Sequence, residues 1–250
     1  MKISVITAVY NCQQTISQAI ESVLSQTYDN FESVVIDGGS TDGTLEKLEK
    51  FRSRLDVLIS EPDRGIYDAL NKGIKYSTGD VVGFLHADDI FVDADVLIQI
   101  AACFIDPAVQ AVYGDLVYVK HNDLNKIVRY WQARNFNAVE LSQGWMPPHP
   151  TFYVRRSVYE KLGGFDSSLR IAADYDIVLR FLAVNKIKAA YIPRAIVKMR
   201  VGGLSNRSIM NILIKSHEDY IVLRRHKVGG LKSLLWKNVR KLRQFWCKEE

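Results

Sequence analysis

The 250-residue sequence has no run of about 18 apolar residues, so no helix is expected to span a bilayer. The opening MKISVITAVYN turns polar within a few positions. It lacks the longer apolar stretch and small-residue cleavage site of a secretory signal. Cysteine is scarce: Cys12, Cys103 and Cys247 are odd in number and far apart, with no CxxC pair. They read as reduced thiols of a cytosolic protein, not as a disulfide frame or zinc site. GxGxxG and GxxxxGK[ST] are both missing, so neither a dinucleotide-binding Rossmann enzyme nor a P-loop ATPase is supported. No internal repeat or low-complexity linker interrupts the chain, which favours one continuous domain. Positive charge is also missing from most of the chain. The net charge is +5, yet residues 224–250 alone hold nine Lys/Arg against two Glu. The other 223 residues are therefore slightly acidic, which argues against a nucleic-acid footprint spread over a folded face.

What is present alternates between two periods. ISVITAV (3–9), FESVVI (31–36), VLIS (57–60) and DVVGFLH (80–86) are β-rich apolar runs, as expected of strands buried on both faces. Between them lie helical patterns. Ile16, Ala19, Ile20, Val23 and Leu24 form one stripe, 43–53 follows a Thr41–Asp42 cap, and 66–77 is the third. This order predicts βαβ units and a parallel sheet, hence an α/β fold. Another helix is expected at about 93–105. Beyond it, 111–120, 127–133 and 149–156 read as antiparallel strands, and 172–184 as a helix with Ile177, Val178 and Phe181 on one face.

In such sheets ligands bind beyond the carboxyl ends of the strands. Three strand-end loops are rich in polar groups there: TAVYN (7–11), DGGSTD (37–42) and HADD (86–89). Asp88 and Asp89 either end a strand and cap the next helix, or give hard oxygen ligands to Mg2+ or Mn2+ beside a phosphate. Asp37 is either a turn residue before Gly38 or a carboxylate that accepts from a nucleobase N–H. Asp174 is either an N-terminal helix aspartate favoured by the dipole or a base whose pKa is raised by partial burial. Lys72, Arg64 and Arg200 are solvated charges or diphosphate partners. Arg200 opens a glycine-containing segment, RVGGLS, that reads as a loop able to close. His149 is a structural histidine or a donor or acceptor contact.

VITAVYN, VIDGGSTDGT, EPDRGIYDALNKGI, FLHADD and GGFD…ADYDIVLR, in that order over roughly residues 1–205, resemble the motif series of family 2 glycosyltransferases. The resemblance implies the GT-A fold: a Rossmann-like, mostly parallel sheet flanked by helices, with antiparallel acceptor-side strands. The corresponding division is a domain over 1–223, its nucleotide-binding half about 1–115 and acceptor-side half about 116–223, followed by a basic tail at 224–250. Inverting transfer from a UDP-sugar is implied. Thr7, Ala8, Tyr10, Asn11, Asp37, Gly38, Asp68, Lys72, His86, Ala87, Asp88 and Arg200 would contact the nucleotide sugar, with Asp37 on the uracil and Asp88 near the ribose and sugar. Asp89 would hold the Mn2+ or Mg2+, Asp174 would be the base, and His149 and Asp176 would face the acceptor. Two positions depart from the family pattern. His86 stands where many relatives have Asn or Asp, and the usual Glu-Asp pair reads Ala173-Asp174. No QxxRW motif is present, which argues against a processive synthase. The closest flavour is the bacterial enzymes of O-antigen, capsule or exopolysaccharide assembly.

In the tail, 231–246 forms an amphipathic helical pattern. Leu231, Leu234, Leu235, Val239, Leu242 and Trp246 line one stripe, with Lys232, Lys237, Arg240, Lys241 and Arg243 largely off it. That pattern fits an anionic membrane interface, and equally a helix packed back on the domain. A membrane site would suit a polyprenyl-diphosphate-linked saccharide acceptor on the inner face of the cytoplasmic membrane. Two other classes remain open: a catalytically silent sugar-nucleotide-binding or scaffold protein, favoured by Ala173, and a nucleic-acid binder led by the tail.

Overall fold

The computed structural model describes residues 1–137, 140–141, 144–202, 209–234 and 236. The first half follows the expected alternation. Strand β1 (Ile3–Val9) leads to α1 (Ile16–Leu24), β2 (Phe31–Asp37), α2 (Thr44–Glu49), β3 (Val57–Ser60), α3 (Ile66–Tyr76) and β4 (Val81–Phe84). These four strands pair in parallel, in the order β3-β2-β1-β4. Every residue of β1 is buried, since helices cover both faces of the sheet. The buried face of α1 is Ile16, Ala19, Ile20 and Val23, as its stripe requires.

The second half extends the same sheet in mixed fashion. It contains β5 (Ile90–Phe91), α4 (Val96–Cys103), the hairpin β6 (Ala111–Lys120) and β7 (Asp123–Trp131), β8 (Tyr153–Arg155), α5 (Arg156–Leu162), α6 (Ala173–Val178), β9 (Ala189–Arg200) and α7 (Ile209–Arg225). The short β8 inserts between β4 and β6, antiparallel to both, and joins the two halves. Antiparallel pairing of β6 with β7 agrees with the sequence reading, whereas β9 runs parallel to β6. The result is an α/β fold with one curled sheet of nine strands among the described residues.

One contact locks the junction of the halves and another the start of the parallel strands. Opposite Gly83, the Tyr153 ring lies so close that a Cβ on Gly83 would sit 2.0 Å from its Cε1, so only glycine fits. At the other end of the strands, buried Glu32 accepts from Ser4 Oγ at 2.6 Å, Thr78 Oγ1 at 2.6 Å and Gly79 N at 3.1 Å, and pairs with Lys2. Burial works against that charge, but the bonds from Lys2, Ser4 and Thr78 prevail and bring its pKa down to about 2.

Several expectations need correction. The 172–184 helix is α-helical only to Val178 and continues as a π-helical turn over Leu179–Val184. Arg200 is the last, buried residue of β9, Val201 and Gly202 after it are in neither helix nor strand, and the rest of RVGGLS lies outside the described residues. The tail pattern lies mostly outside the described residues, but Val228 and Leu234 pack against the main core while Leu231 and Trp236 are exposed.

Candidate active site

The carboxyl ends of β1, β2 and β4 open onto one edge, as their parallel register demands. Val9 stands beside Asp37, and Asp37 beside Ser60. Asn11, in the left-handed region at φ 50°, turns the chain out of β1. Its amide donates to Ser40 Oγ at 2.8 Å and its side-chain oxygen accepts from Thr41 N at 2.9 Å, which ties TAVYN to DGGSTD. Thr7 and Ala8 are buried while Tyr10 is exposed at the rim. Asp37 is fully buried and accepts from Ser40 Oγ at 2.5 Å and Ser60 Oγ at 2.6 Å. Beside it, a Cβ on Gly38 would come 2.4 Å from Asp63 Oδ2, so the Asp63 side chain packs directly over the glycine after Asp37. The EPDRG loop thus closes this side. Lys72 pairs with Glu61 at 2.8 Å and lies 3.6 Å from Asp68, whose Oδ2 also accepts from Arg64 N at 3.1 Å.

HADD forms a tight turn, with the Asp89 amide donating to the His86 carbonyl at 3.0 Å. The two aspartates differ sharply. Asp88 is partly exposed, whereas Asp89 is fully enclosed and neither of its carboxylate oxygens has a hydrogen-bond partner. Burial, and next the Asp88 charge, push the Asp89 pKa well up, against the pull of the nearby Arg200 amide and guanidinium. Arg200 packs under this turn. It donates to the Asp88 carbonyl at 2.5 Å, to the His121 carbonyl at 3.2 Å and to Gln18 Oε1. Ala87 is buried against Val9 and Ile16, which seats the turn on the sheet.

On the facing side stand His149 and Asp174. The His149 ring lies 5.7 Å from Phe84, 5.7 Å from Phe165 and 5.8 Å from His86, and both of its buried nitrogens are without partners. Burial drives its pKa down to about 4, against the pull of Asp174, so the ring is neutral at pH 7. His86 is shifted down by burial too, opposed by Asp88 and Asp174. Asp174 is therefore within electrostatic reach of both imidazoles and of the Tyr67 hydroxyl. Its Oδ1 accepts from the Tyr175 amide at 2.8 Å.

Asp176 is misplaced by the sequence reading. It is buried and pairs with His226 at 2.8 Å, Arg180 at 3.4 Å and Arg225 at 3.5 Å, so it supports the fold and does not face an acceptor. The cause is α7, whose C-terminal end brings Arg225 and His226 onto Asp176. The sequence reading missed Ser60, Tyr67 and Glu218. Ser60 was open to discovery as the polar end of the strand beside Asp37. Glu218 has no local signal at all.

A family model described as glycosyl transferase family 2 matches residues 4–171. The chain belongs to that family. A PGL/p-HBAD biosynthesis glycosyltransferase of Mycobacterium bovis is 29% identical over 219 residues, covering 85% of this chain and 82% of the relative. The Escherichia coli UDP-Glc:alpha-D-GlcNAc-diphosphoundecaprenol beta-1,3-glucosyltransferase WfgD is 35% identical over 123 residues, 49% of this chain and 48% of its own. Among solved structures, S. aureus TarS 1-349 in complex with UDP-GlcNAc superposes with a TM-score of 0.71 at 21% identity, over 91% of this chain and 66% of that one. The fold is thus shared with that structure, and by the family match this chain is a family 2 glycosyltransferase.

Among the described residues no three His, Cys, Asp or Glu side chains gather to cage a metal ion. A divalent cation could still fit at Asp89, whose buried oxygens lack partners, with Asp88 adjacent and the rest of the shell from diphosphate oxygens and water. Mg2+ and Mn2+ sites that hold substrate phosphates use one or two carboxylates in this way.

Proposed function

We propose that this glycosyltransferase moves one sugar, with inversion, from a UDP-sugar to a polyprenyl-diphosphate-linked saccharide in surface polysaccharide assembly. The observation that carries the reading is the convergence of Asp37, Asp88, Asp89 and Asp174 at one sheet edge, with Asp89 enclosed and unpartnered.

Asp37, held by Ser40 and Ser60, faces the uracil N–H. Tyr10 and Asn11 line the nucleotide, and Asp88 contacts the ribose and donor sugar. Asp89 would hold the Mn2+ or Mg2+, which when bound would offset the charge on the departing diphosphate. On the opposite side, Asp174 takes the proton of the acceptor hydroxyl. The hydroxyl oxygen bonds to the anomeric carbon from the face opposite UDP, and the bond to the diphosphate oxygen breaks. With Asp174 Oδ1 occupied by the Tyr175 amide, Oδ2 is the atom left to receive the proton. General-base assistance of this kind is worth about 10²–10⁴-fold. The neutral His149 and the His86 beside it suit hydrogen bonding to sugar hydroxyls, since neither adds a positive charge that would stabilise the ionised base too strongly.

The donor is UDP-linked glucose, galactose or an N-acetylhexosamine; WfgD is named for UDP-Glc and TarS was solved with UDP-GlcNAc. WfgD's name also gives a diphosphoundecaprenol acceptor, which supports a lipid-linked acceptor here. A site on the cytoplasmic membrane face is supported by the basic tail and by exposed Met210, Leu213, Leu231 and Trp236. Single addition is supported by the missing QxxRW motif, and no described helix is long and apolar enough to cross a membrane.

Thermal stabilisation by a panel of UDP- and GDP-sugars, each with Mn2+, tests the reading, because a ligand that binds only the folded state raises its stability. One of the UDP-sugars is expected to raise Tm and, on incubation, to release UDP. Stabilisation by GDP-sugars alone contradicts the donor assignment. Binding with no UDP release, with or without added acceptor lipid, favours a silent binding protein.

A further inference from the structure

The family match ends at residue 171, three residues before Asp174. The strap 170–172 that delivers Asp174 is held from outside the matched region, by α7. Glu218, which is 9% exposed, accepts from three successive amides: Arg170 at 2.8 Å, Ile171 at 2.8 Å and Ala172 at 3.0 Å. From the other side, the Tyr67 hydroxyl donates to the Ile171 carbonyl at 2.6 Å. Helix α6 needs this help, since Ala172 at its N-cap has no side-chain oxygen to offer. A second tie follows Asp174, where Asp176 pairs with His226 just past the end of α7. The segment that carries Asp174 is thus gripped by the C-terminal region on both sides.

A carboxylate that accepts three amide hydrogens is among the stronger hydrogen-bonding groups, and a nearly enclosed one resists replacement by water. The residue before Asp174 is alanine, where the family pattern carries glutamate.

We infer that Glu218 is a positioning residue for Asp174: by clamping the 170–172 strap it sets the base against the acceptor hydroxyl. This rests on the reading of Asp174 as the base. Glu218 touches no substrate. It acts through the backbone that carries Asp174, and a misplacement of about 1 Å can cost about 10²-fold in rate.

The test is a double-mutant cycle on the full chain with Glu218→Gln and Asp174→Asn. UDP release is followed from whichever UDP-sugar in the panel stabilises the fold most. Gln keeps the size of Glu but turns an amide nitrogen toward backbone N–H groups, so at most part of the clamp survives. Glu218→Gln is expected to lower kcat by about 10–100-fold with donor KM within about 2-fold, and to change kcat by less than about 2-fold when Asp174 is already Asn. An equal loss in both backgrounds, or no loss in either, overturns the proposal. Full turnover by Asp174→Asn alone shows instead that the base is wrongly assigned, and the proposal falls with it. Should Glu218→Gln not fold, amide exchange in the unaltered protein decides. The amides of 170–172 are expected to exchange as slowly as those of the α7 core, and fast exchange there with α7 protected overturns the clamp.

Discussion

Asp89→Asn is predicted to stabilise the protein that it disables. Asp89 is fully enclosed, neither oxygen is hydrogen-bonded, and Asp88 is its neighbour in sequence. A buried group left without partners costs about 1–3 kcal/mol, and more when charged. Replacing the carboxylate by an amide of the same shape removes the repulsion from Asp88 and the cost of enclosing a charge, which outweighs the lost attraction to Arg200. Arg200 is not stranded by the change, since it keeps its bonds to Asp88, His121 and Gln18. A net gain of about 2 kcal/mol corresponds to a Tm rise of roughly 4–8 °C in a chain of this size. The assay is a thermal melt of wild type and variant in EDTA, repeated with Mn2+ and UDP. In EDTA the variant should melt higher; with Mn2+ and UDP only the wild type should gain. A variant that melts lower in EDTA refutes the reasoning, for it would mean that the carboxylate is satisfied without a cation. Stability withheld at a site that needs a charge is a familiar trade against activity.

Three further predictions concern the frame and the tail. Glu32 has a folded pKa of about 2 against an ordinary 4.5, so it stabilises the fold fully above about pH 4.5 and progressively less as pH falls toward 2. Screening at the exposed Lys2 end brings its worth to about 2 kcal/mol. Urea unfolding of Glu32→Gln should show that deficit at pH 7 and little of it near pH 2, and a deficit independent of pH contradicts the assignment. Gly83→Ala should cost about 1–3 kcal/mol because its methyl meets the Tyr153 ring; an unchanged urea midpoint would show that the ring can yield. Deleting 231–250 should abolish binding to phosphatidylglycerol vesicles, since each basic residue near an anionic surface adds about 1 kcal/mol. Undiminished vesicle binding sinks the membrane reading.

The first half of the fold was legible because each of its elements answers to one rule. Doubly covered strands are continuously apolar, and the helices between them carry a clear stripe. Asp37 and the HADD turn followed, since polar residues at the ends of parallel strands have one edge to open onto. The second half follows no such rule. Strand β9 contains Pro193 and several basic residues, and reads as a strand only because its register slips between Ile192 and Ala195 while pairing with β6. Helix α7 turns Glu218 and Asp219 inward, where they are buried, and so carries little apolar stripe to betray it. That same helix encloses Asp176 and leaves Asp174 partly exposed. Which carboxylate of α6 is enclosed depends on a partner from the far end of the chain, and no local period can report that.

The most direct test of the account is turnover by Asp174→Asn at saturating UDP-sugar and Mn2+, measured beside its affinity for UDP. The substitution keeps the size of the side chain and its bond to the Tyr175 amide, and removes only the ability to accept a proton. UDP affinity within about 2-fold of wild type, with kcat lower by about 10²–10⁴-fold, is the predicted result. Undiminished kcat at equal UDP affinity would contradict the assignment of Asp174 as the base that drives sugar transfer.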